Sequence, residues 1–279
     1  MRNFSVAFIA VILITLFQAC TKDPIITEDA GTAPTLPPME TFLMPFSGFE
    51  NVDTTDKAPG AANSRTVNNY ANWFYAASNV VIWNAVVTIN MVIPVASYAE
   101  AFNHKAEFQG NGIWLWAYDF VADGSTYQAE LTGQFISPTE VQWDMYITQV
   151  GGFSKVHWYT GVTATDRTHG EWTLNYQPNN PQPYIGIEYS RDFGDGTASI
   201  RYTNIIPNHQ DNGNYIEFSE NYNTTSGMNR TYDVYDADED RKLMIEWSKE
   251  QKYGRVKDPF HFGDADWHCW DEEFRNIDC

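Results

Sequence analysis

From about residue 106 to residue 257, polar and apolar side chains alternate with a period of two. Residues 126–135 sort Tyr127, Ala129, Leu131 and Phe135 from Gln128, Glu130, Thr132 and Gln134. Residues 140–147 sort Val141, Trp143, Met145 and Ile147 from Gln142, Asp144 and Tyr146. The same rule separates Ile185, Ile187 and Tyr189 from Tyr184 and Glu188, Ile216 and Phe218 from Tyr215 and Glu217, and Leu243, Ile245 and Trp247 from Met244 and Glu246. Alternation of this kind marks half-buried strands. Between the runs stand Asn111-Gly112, Asp123-Gly124, Gly151-Gly152, Asp195-Gly196 and Asn212-Gly213, which read as hairpin turns. The pattern predicts an antiparallel meander of about ten strands with one apolar face. A sheet that wide curls into a barrel, a half-barrel or a sandwich. No sequence repeat of about 20–50 residues is visible, which disfavours a propeller or solenoid.

Ahead of the meander the period changes. Residues 68–92 lack Gly and Pro and are rich in Ala, Trp and Val. They predict a helix that Pro94 ends, followed by a short helix over 94–103. The β-branched run Val80–Val87 pulls the other way, toward strand. The first helix is apolar nearly all round, so it is expected to be buried. Trp83 and Val87 would then line any cavity left between helix and sheet. Asn79, Asn84, Thr88 and Asn90 argue against a membrane span. Residues 41–49 read as a first strand, placed on an edge by Pro45. The expected fold is mainly β: one domain over 41–279, with a meander curled into a half-barrel or barrel around a buried helical insert at 68–103.

Composition supports a folded domain. The chain has 279 residues, 43% of them hydrophobic and 15% aromatic, which is ample for a core and argues against wholesale disorder. The net charge of -19 makes a nucleic-acid backbone or a bare anionic bilayer an unsuitable partner. Residues 20–40 hold Pro24, Pro34, Pro37 and Pro38 and read as an extended, solvated tether.

The chain begins MRNFSVAFIAVILITLFQAC. Arg2 precedes an apolar run from Phe4 to Phe17, which is shorter than the roughly 20 residues of a membrane span and fits a secretory signal. Ala19-Cys20 resembles the end of the lipobox of bacterial lipoproteins, with Phe17 where that pattern has a branched aliphatic. The resemblance implies removal of residues 1–19 and acylation of Cys20 by palmitate-like chains. Each buried methylene then anchors the protein by about 0.8 kcal/mol. Cys20-Thr21-Lys22-Asp23 resembles the lysine–acid export signal of Bacteroidota surface lipoproteins, which implies an outer-membrane, surface-exposed location. Asp53-Thr54-Thr55 resembles the O-glycosylation site of the same group. As a whole the chain is similar to uncharacterised Bacteroidota lipoproteins with a Trp-rich meander. In outline it also resembles the unclosed β-barrel of the lipoprotein-carrier fold, which implies a bent sheet over helices and an apolar cavity.

With Cys20 assigned to lipid, Cys269 and Cys279 remain, and an even pair in an exported chain predicts a disulfide. It would pin residues 264–279, which carry Trp267, Trp270 and Phe274, as a short helical or looped cap.

Candidate chemistry is sparse. Trp114, Trp116 and Tyr118 alternate with Ile113, Leu115 and Ala117, so one strand shows aromatics on one face and aliphatics on the other. Such a row can stack on sugar rings or line an apolar pocket. A strand covered on both faces explains it more simply. His157 and Tyr159 would extend the patch. Glu188, Glu217 and Glu246 sit on polar faces, where paired carboxylates can hydrolyse glycosides, although alternation alone demands polar residues there. Asp236, Asp238 and Asp240 cluster as a weak calcium candidate. An EF-hand would need Gly and Glu where Arg241 and Trp247 stand. Asp192–Thr197 resembles the signature turn of polycystic-kidney-disease-type modules and contains the letters Asp-Phe-Gly. No phosphate loop or catalytic loop accompanies it, so it reads as a turn. There is no Gly-x-Ser-x-Gly elbow, and the six histidines lack metal spacing. The expectation is a non-enzymatic, lipid-anchored cell-envelope protein that binds an apolar or amphipathic ligand or serves as accessory subunit of an outer-membrane complex. Surface glycan binding through the aromatic row is the second expectation, and glycan hydrolysis the third.

Overall fold

The computed structural model describes residues 31–46, 69–176, 178–221 and 227–279. The signal segment, Cys20, the tether before Gly31 and Asp53-Thr54-Thr55 lie outside the described residues.

Fourteen strands form one antiparallel sheet in strict sequence order. They are β1 (Glu107–Gly110), β2 (Ile113–Ala122), β3 (Ser125–Ser137), β4 (Glu140–Gln149), β5 (Val156–Ala164), β6 (His169–Tyr176) and β7 (Gln182–Asp192). The meander continues through β8 (Thr197–Asn204), β9 (Tyr215–Asn221), β10 (Arg230–Asp236), β11 (Arg241–Trp247), β12 (Gly254–Lys257), β13 (His268–Trp270) and β14 (Asn276–Ile277). The protein is mainly β, as the alternation predicts, and the sheet is not closed. The strands beyond the expected ten are short ones, β1 and β12 to β14, whose two to four residues are too few to display a period. Asn111 (φ 53°) with Gly112 (φ 74°), and Asp123 (φ 46°) with Gly124 (φ 70°), make two of the hairpin turns, where both central residues are left-handed.

The helical expectation needs two corrections. One unbroken helix, α1 (Ala71–Ala101), runs straight through Pro94. Proline removes one donor, which leaves the Asn90 carbonyl without its helical partner, but Asn90 is exposed to water. The last turns are held from outside the helix: Tyr118 Oη donates to Ser97 O (2.6 Å), and Tyr98 Oη donates to Pro37 O (2.6 Å). The helix is also not buried all round. Ala76, Val80, Val87 and Met91 face the core, while Ile82 is 62% exposed and Ile89 76%. At its start α1 packs on β12 to β14, and at its end on β2. It therefore spans the gap between the two margins of the open sheet.

The expected strand at 41–49 is absent over its described part, and the second half of the expected tether is not solvated. Residues 33–46 instead form a strap across the concave face, with one 3-10 turn at Met39–Thr41. Pro34, Pro37, Phe42, Met44 and Phe46 are buried. A strand-less backbone inside a core needs partners for its polar groups. Tyrosines supply them: Tyr202 Oη accepts from Met44 N (2.7 Å) and donates to Phe42 O (2.9 Å), and Tyr232 Oη donates to Pro45 O.

Strand curvature has a side-chain basis. Trp114, Gly133, Trp143, Gly161 and Trp172 are successive cross-strand partners over β2 to β6. Two of the indoles lie over glycines: a Cβ on Gly133 would sit 2.7 Å from the Trp143 ring, and one on Gly161 would meet the Trp172 ring. Glycine in a strand interior marks such a close approach.

Candidate functional site

The aromatic row belongs to the core. Trp116, Tyr118 and Tyr159 are buried, and Trp114 is half-buried against Phe108 (ring centroids 5.3 Å). The row lies on the concave face under the strap and α1, where Trp116, Tyr118 and Tyr159 have no free ring face for a sugar to stack on. His157 and Tyr159 do not share a face. The β4–β5 register shifts between Met145 and Tyr146, which pair with Tyr159 and His157 and leave Trp158 as the extra residue. His157 points outward, stacks on Tyr146 and meets Asp144 Oδ1 at 2.8 Å. Burial works against the Asp144 charge, but hydrogen bonds with His157, Thr160 and Gln142 hold its pKa below the usual carboxylate value.

The strand carboxylates lie on the convex face, where Glu188 and its cross-strand neighbour Glu171 line a shallow hollow. Arg201 holds Glu217 through Nη2 at 2.6 Å, and Arg255 holds Glu246 likewise at 2.6 Å. Glu188 is exposed and lies opposite Arg201 in register. Glu217 and Glu246 are thus members of cross-strand ion pairs on a solvated face. Asp236 Oδ1 accepts from the amides of Asp238 and Glu239, and Asp240 Oδ1 accepts from Tyr235 Oη. The three aspartates do not converge, and among the described residues no group of three His, Cys, Asp or Glu side chains is placed to hold a metal. Asp192 Oδ1 accepts from Gly194 N and Asp195 N, which is the turn that the sequence reads there.

Cys269 and Cys279 are joined. The C-terminal segment is largely looped, with two short strands, β13 and β14, added to the sheet, and it caps the start of α1. Asn72 Nδ2 donates to Cys269 O (2.9 Å), and Asn276 Oδ1 accepts from Asn72 N (3.1 Å). Beside this cap lies the most densely bonded carboxylate. Asp258 opens the short helix α2 (Pro259–Phe262) and accepts from Phe260 N and His261 N. It also accepts from Arg241 Nη2 (2.6 Å), Arg241 Nε (3.1 Å) and Tyr75 Oη (2.5 Å). Burial, and then the bond to Asp258, push the Tyr75 hydroxyl up to about 12. Burial opposes the Asp258 charge, yet Arg241, Tyr75 and the His261 amide keep its pKa low. Five donors leave this group nothing for chemistry: it is a knot joining α1, β11 and α2.

One open hollow is a groove between α1 and the sheet. Ile82, Trp83, Val86 and Val87 form its helical wall, and Tyr184, Ile185 and Tyr202 its sheet wall. Its volume is about 290 Å³, and Asn204, Asp211 and Asn214 stand at its mouth. Trp83 and Val87, expected to line a cavity, both lie here. Tyr184 was missed by the sequence reading, although an aromatic on the polar face of its strand is a usable signal. It packs on Tyr176 (ring centroids 5.1 Å). The helical wall continues outward as an uncharged apolar stripe through Ile82, Val86 and Ile89.

Comparison with protein-family models, with curated proteins and with solved structures finds no match to this chain.

Proposed function

We propose that this is a lipid-anchored cell-envelope protein that binds an apolar or amphipathic ligand in the groove between α1 and β7–β8. The observation that carries the reading is the groove itself, with aromatic and aliphatic walls and a few polar groups at its mouth. That is the usual make-up of a small-molecule site. The lipid anchor and the outer-membrane, surface-exposed location rest on the resemblance around Cys20. The tested variant is Val87→Trp, which fills the groove, with Val86→Asp, on the exposed wall, as a second that leaves the core intact. A fluorescent dodecyl probe should bind the wild-type protein and lose at least about tenfold in affinity in both variants, as expected when an apolar wall is lost. Unchanged binding in Val86→Asp sinks the groove reading.

The accessory-subunit reading draws on the exposed stripe of α1. Contiguous apolar surface of that kind marks an interaction face. Ile89→Asp lies on the stripe beyond the groove lining. Loss of a co-purifying envelope complex in that variant, with probe binding retained, would favour the subunit role.

A further inference from the structure

A second hollow opens on the opposite rim of the bowl, where the strap crosses the β5–β6 and β7–β8 hairpins. It holds about 220 Å³, and its apolar lining comes from Leu43 and Pro45 of the strap and from Ile200 and Phe218 of the sheet. Two arginines, Arg167 and Arg191, line the same hollow. Arg201, Arg230, Arg241, Arg255 and Arg275 each meet a carboxylate within 4.0 Å. Arg167 and Arg191 alone among the described arginines form no ion pair, in a chain with 36 acidic and 17 basic residues. Arg191 is held only over the Phe193 ring (5.5 Å).

Tyr189 lines the same hollow and carries a donor without an acceptor. Tyr189 is 8% exposed, and its hydroxyl is buried with no hydrogen-bond partner. A buried, unmade hydrogen bond is costly, which makes it a mark of a site. Burial, with Asp166 adding to it and Arg191 and Arg167 opposing, pushes this hydroxyl up to about 12, so at neutral pH it keeps its proton to donate. Two of the nearby acids are engaged elsewhere. Glu220 lies 3.2 Å from the buried Arg230, and Asp166 Oδ1 accepts from the amide and hydroxyl of Thr168. Glu40 and Glu220 both line the hollow, and Glu40 turns its exposed side to water on the strap.

We infer that this hollow binds the carboxylate of a small amphipathic acid, with Tyr189 Oη donating to one oxygen, Arg167 and Arg191 flanking the charge, and the acyl or aryl body lying against Leu43, Ile200 and Phe218. The site is separate from the helix–sheet groove and does not depend on it.

Isothermal titration with octanoate tests the assignment, with octan-1-ol as the uncharged probe of equal chain length. Octanoate should bind at least about tenfold more tightly than octanol, the factor carried by hydrogen bonds to a charged group. Arg167→Gln with Arg191→Gln should abolish that preference. Tyr189→Phe should weaken octanoate severalfold without lowering the unfolding temperature, since it removes an unpartnered oxygen. Val86→Asp, in the other groove, should leave octanoate affinity unchanged. The inference is overturned if octanoate fails to bind, if octanol binds equally well, if the double arginine variant keeps the preference, or if Val86→Asp removes it.

Discussion

Gly161 and Trp172 face each other across β5 and β6, and a Cβ on Gly161 would lie 2.2 Å from the indole ring. The backbone oxygen of Glu171 would lie 2.7 Å from the same Cβ, so the sheet itself closes the other side. Gly161→Ala should therefore destabilise the protein by about 3 kcal/mol, the upper end for overpacking a core. Urea denaturation checks this. A change within about 0.5 kcal/mol, typical of a surface site, would show that the indole stack can shift.

Asp258→Ala removes the acceptor of five hydrogen bonds and leaves the Arg241 guanidinium without its best partner. Breaking a buried pair on one side costs about 3–5 kcal/mol. The same loss in chemical denaturation is expected here, together with fraying of α2.

Asp258 and Asp144 both have pKa values lowered in the folded state. Their contribution to stability is therefore fully present above the ordinary carboxylate value, about 3.9, and is lost as pH falls through the lowered values. Thermal unfolding of the wild-type protein should fall steeply below about pH 4. In Asp258→Asn the slope over that window should flatten, and an unchanged slope would remove Asp258 as a contributor.

Tyr202→Phe takes away both contacts that hold the strap backbone at Phe42 and Met44. Two buried polar groups then lose their partners, at about 1–3 kcal/mol each. Amide exchange at Met44 should accelerate well before global unfolding. Uniform acceleration across the sheet would mean that the strap does not open separately.

Reduction of Cys269–Cys279 opens a loop of sequence separation 10. Loop entropy puts the loss at about 2–3 kcal/mol. The Trp73–Phe274 ring contact, at 4.8 Å, lies within this cap, so reduction should also change tryptophan fluorescence. A transition midpoint indifferent to reductant would contradict the pinning role.

The meander was legible because its information is local: period-two alternation and Gly turns lie within a hairpin's length. The strap was not. Residues 33–46 carry Pro and Thr like a linker, and their burial is decided by Tyr98, Tyr202 and Tyr232, which are distant in sequence. The continuity of α1 through Pro94 was hidden for the same reason, since Ser97 and Tyr98 are fixed by β2 and the strap. Trp116 and Tyr118 show the limit of alternation itself. It says that two faces differ, and not which of two apolar faces meets the core. Trp83 and Val87 could be placed between helix and sheet because an apolar helix and a one-faced sheet must meet. The pocket under the strap depends on a segment that the sequence hides, so none of it could be read.

The strap also sets an order of events. Each strand pairs with the next in the chain, so the sheet can zip up by short loop closures. Pro45, in contrast, meets Tyr232 at a separation of 187 residues. Synthesis delivers the strap before any strand, yet its last hydrogen-bond partner comes on the tenth. The trough must exist before the strap can be laid into it, so the segment that is made first is placed late.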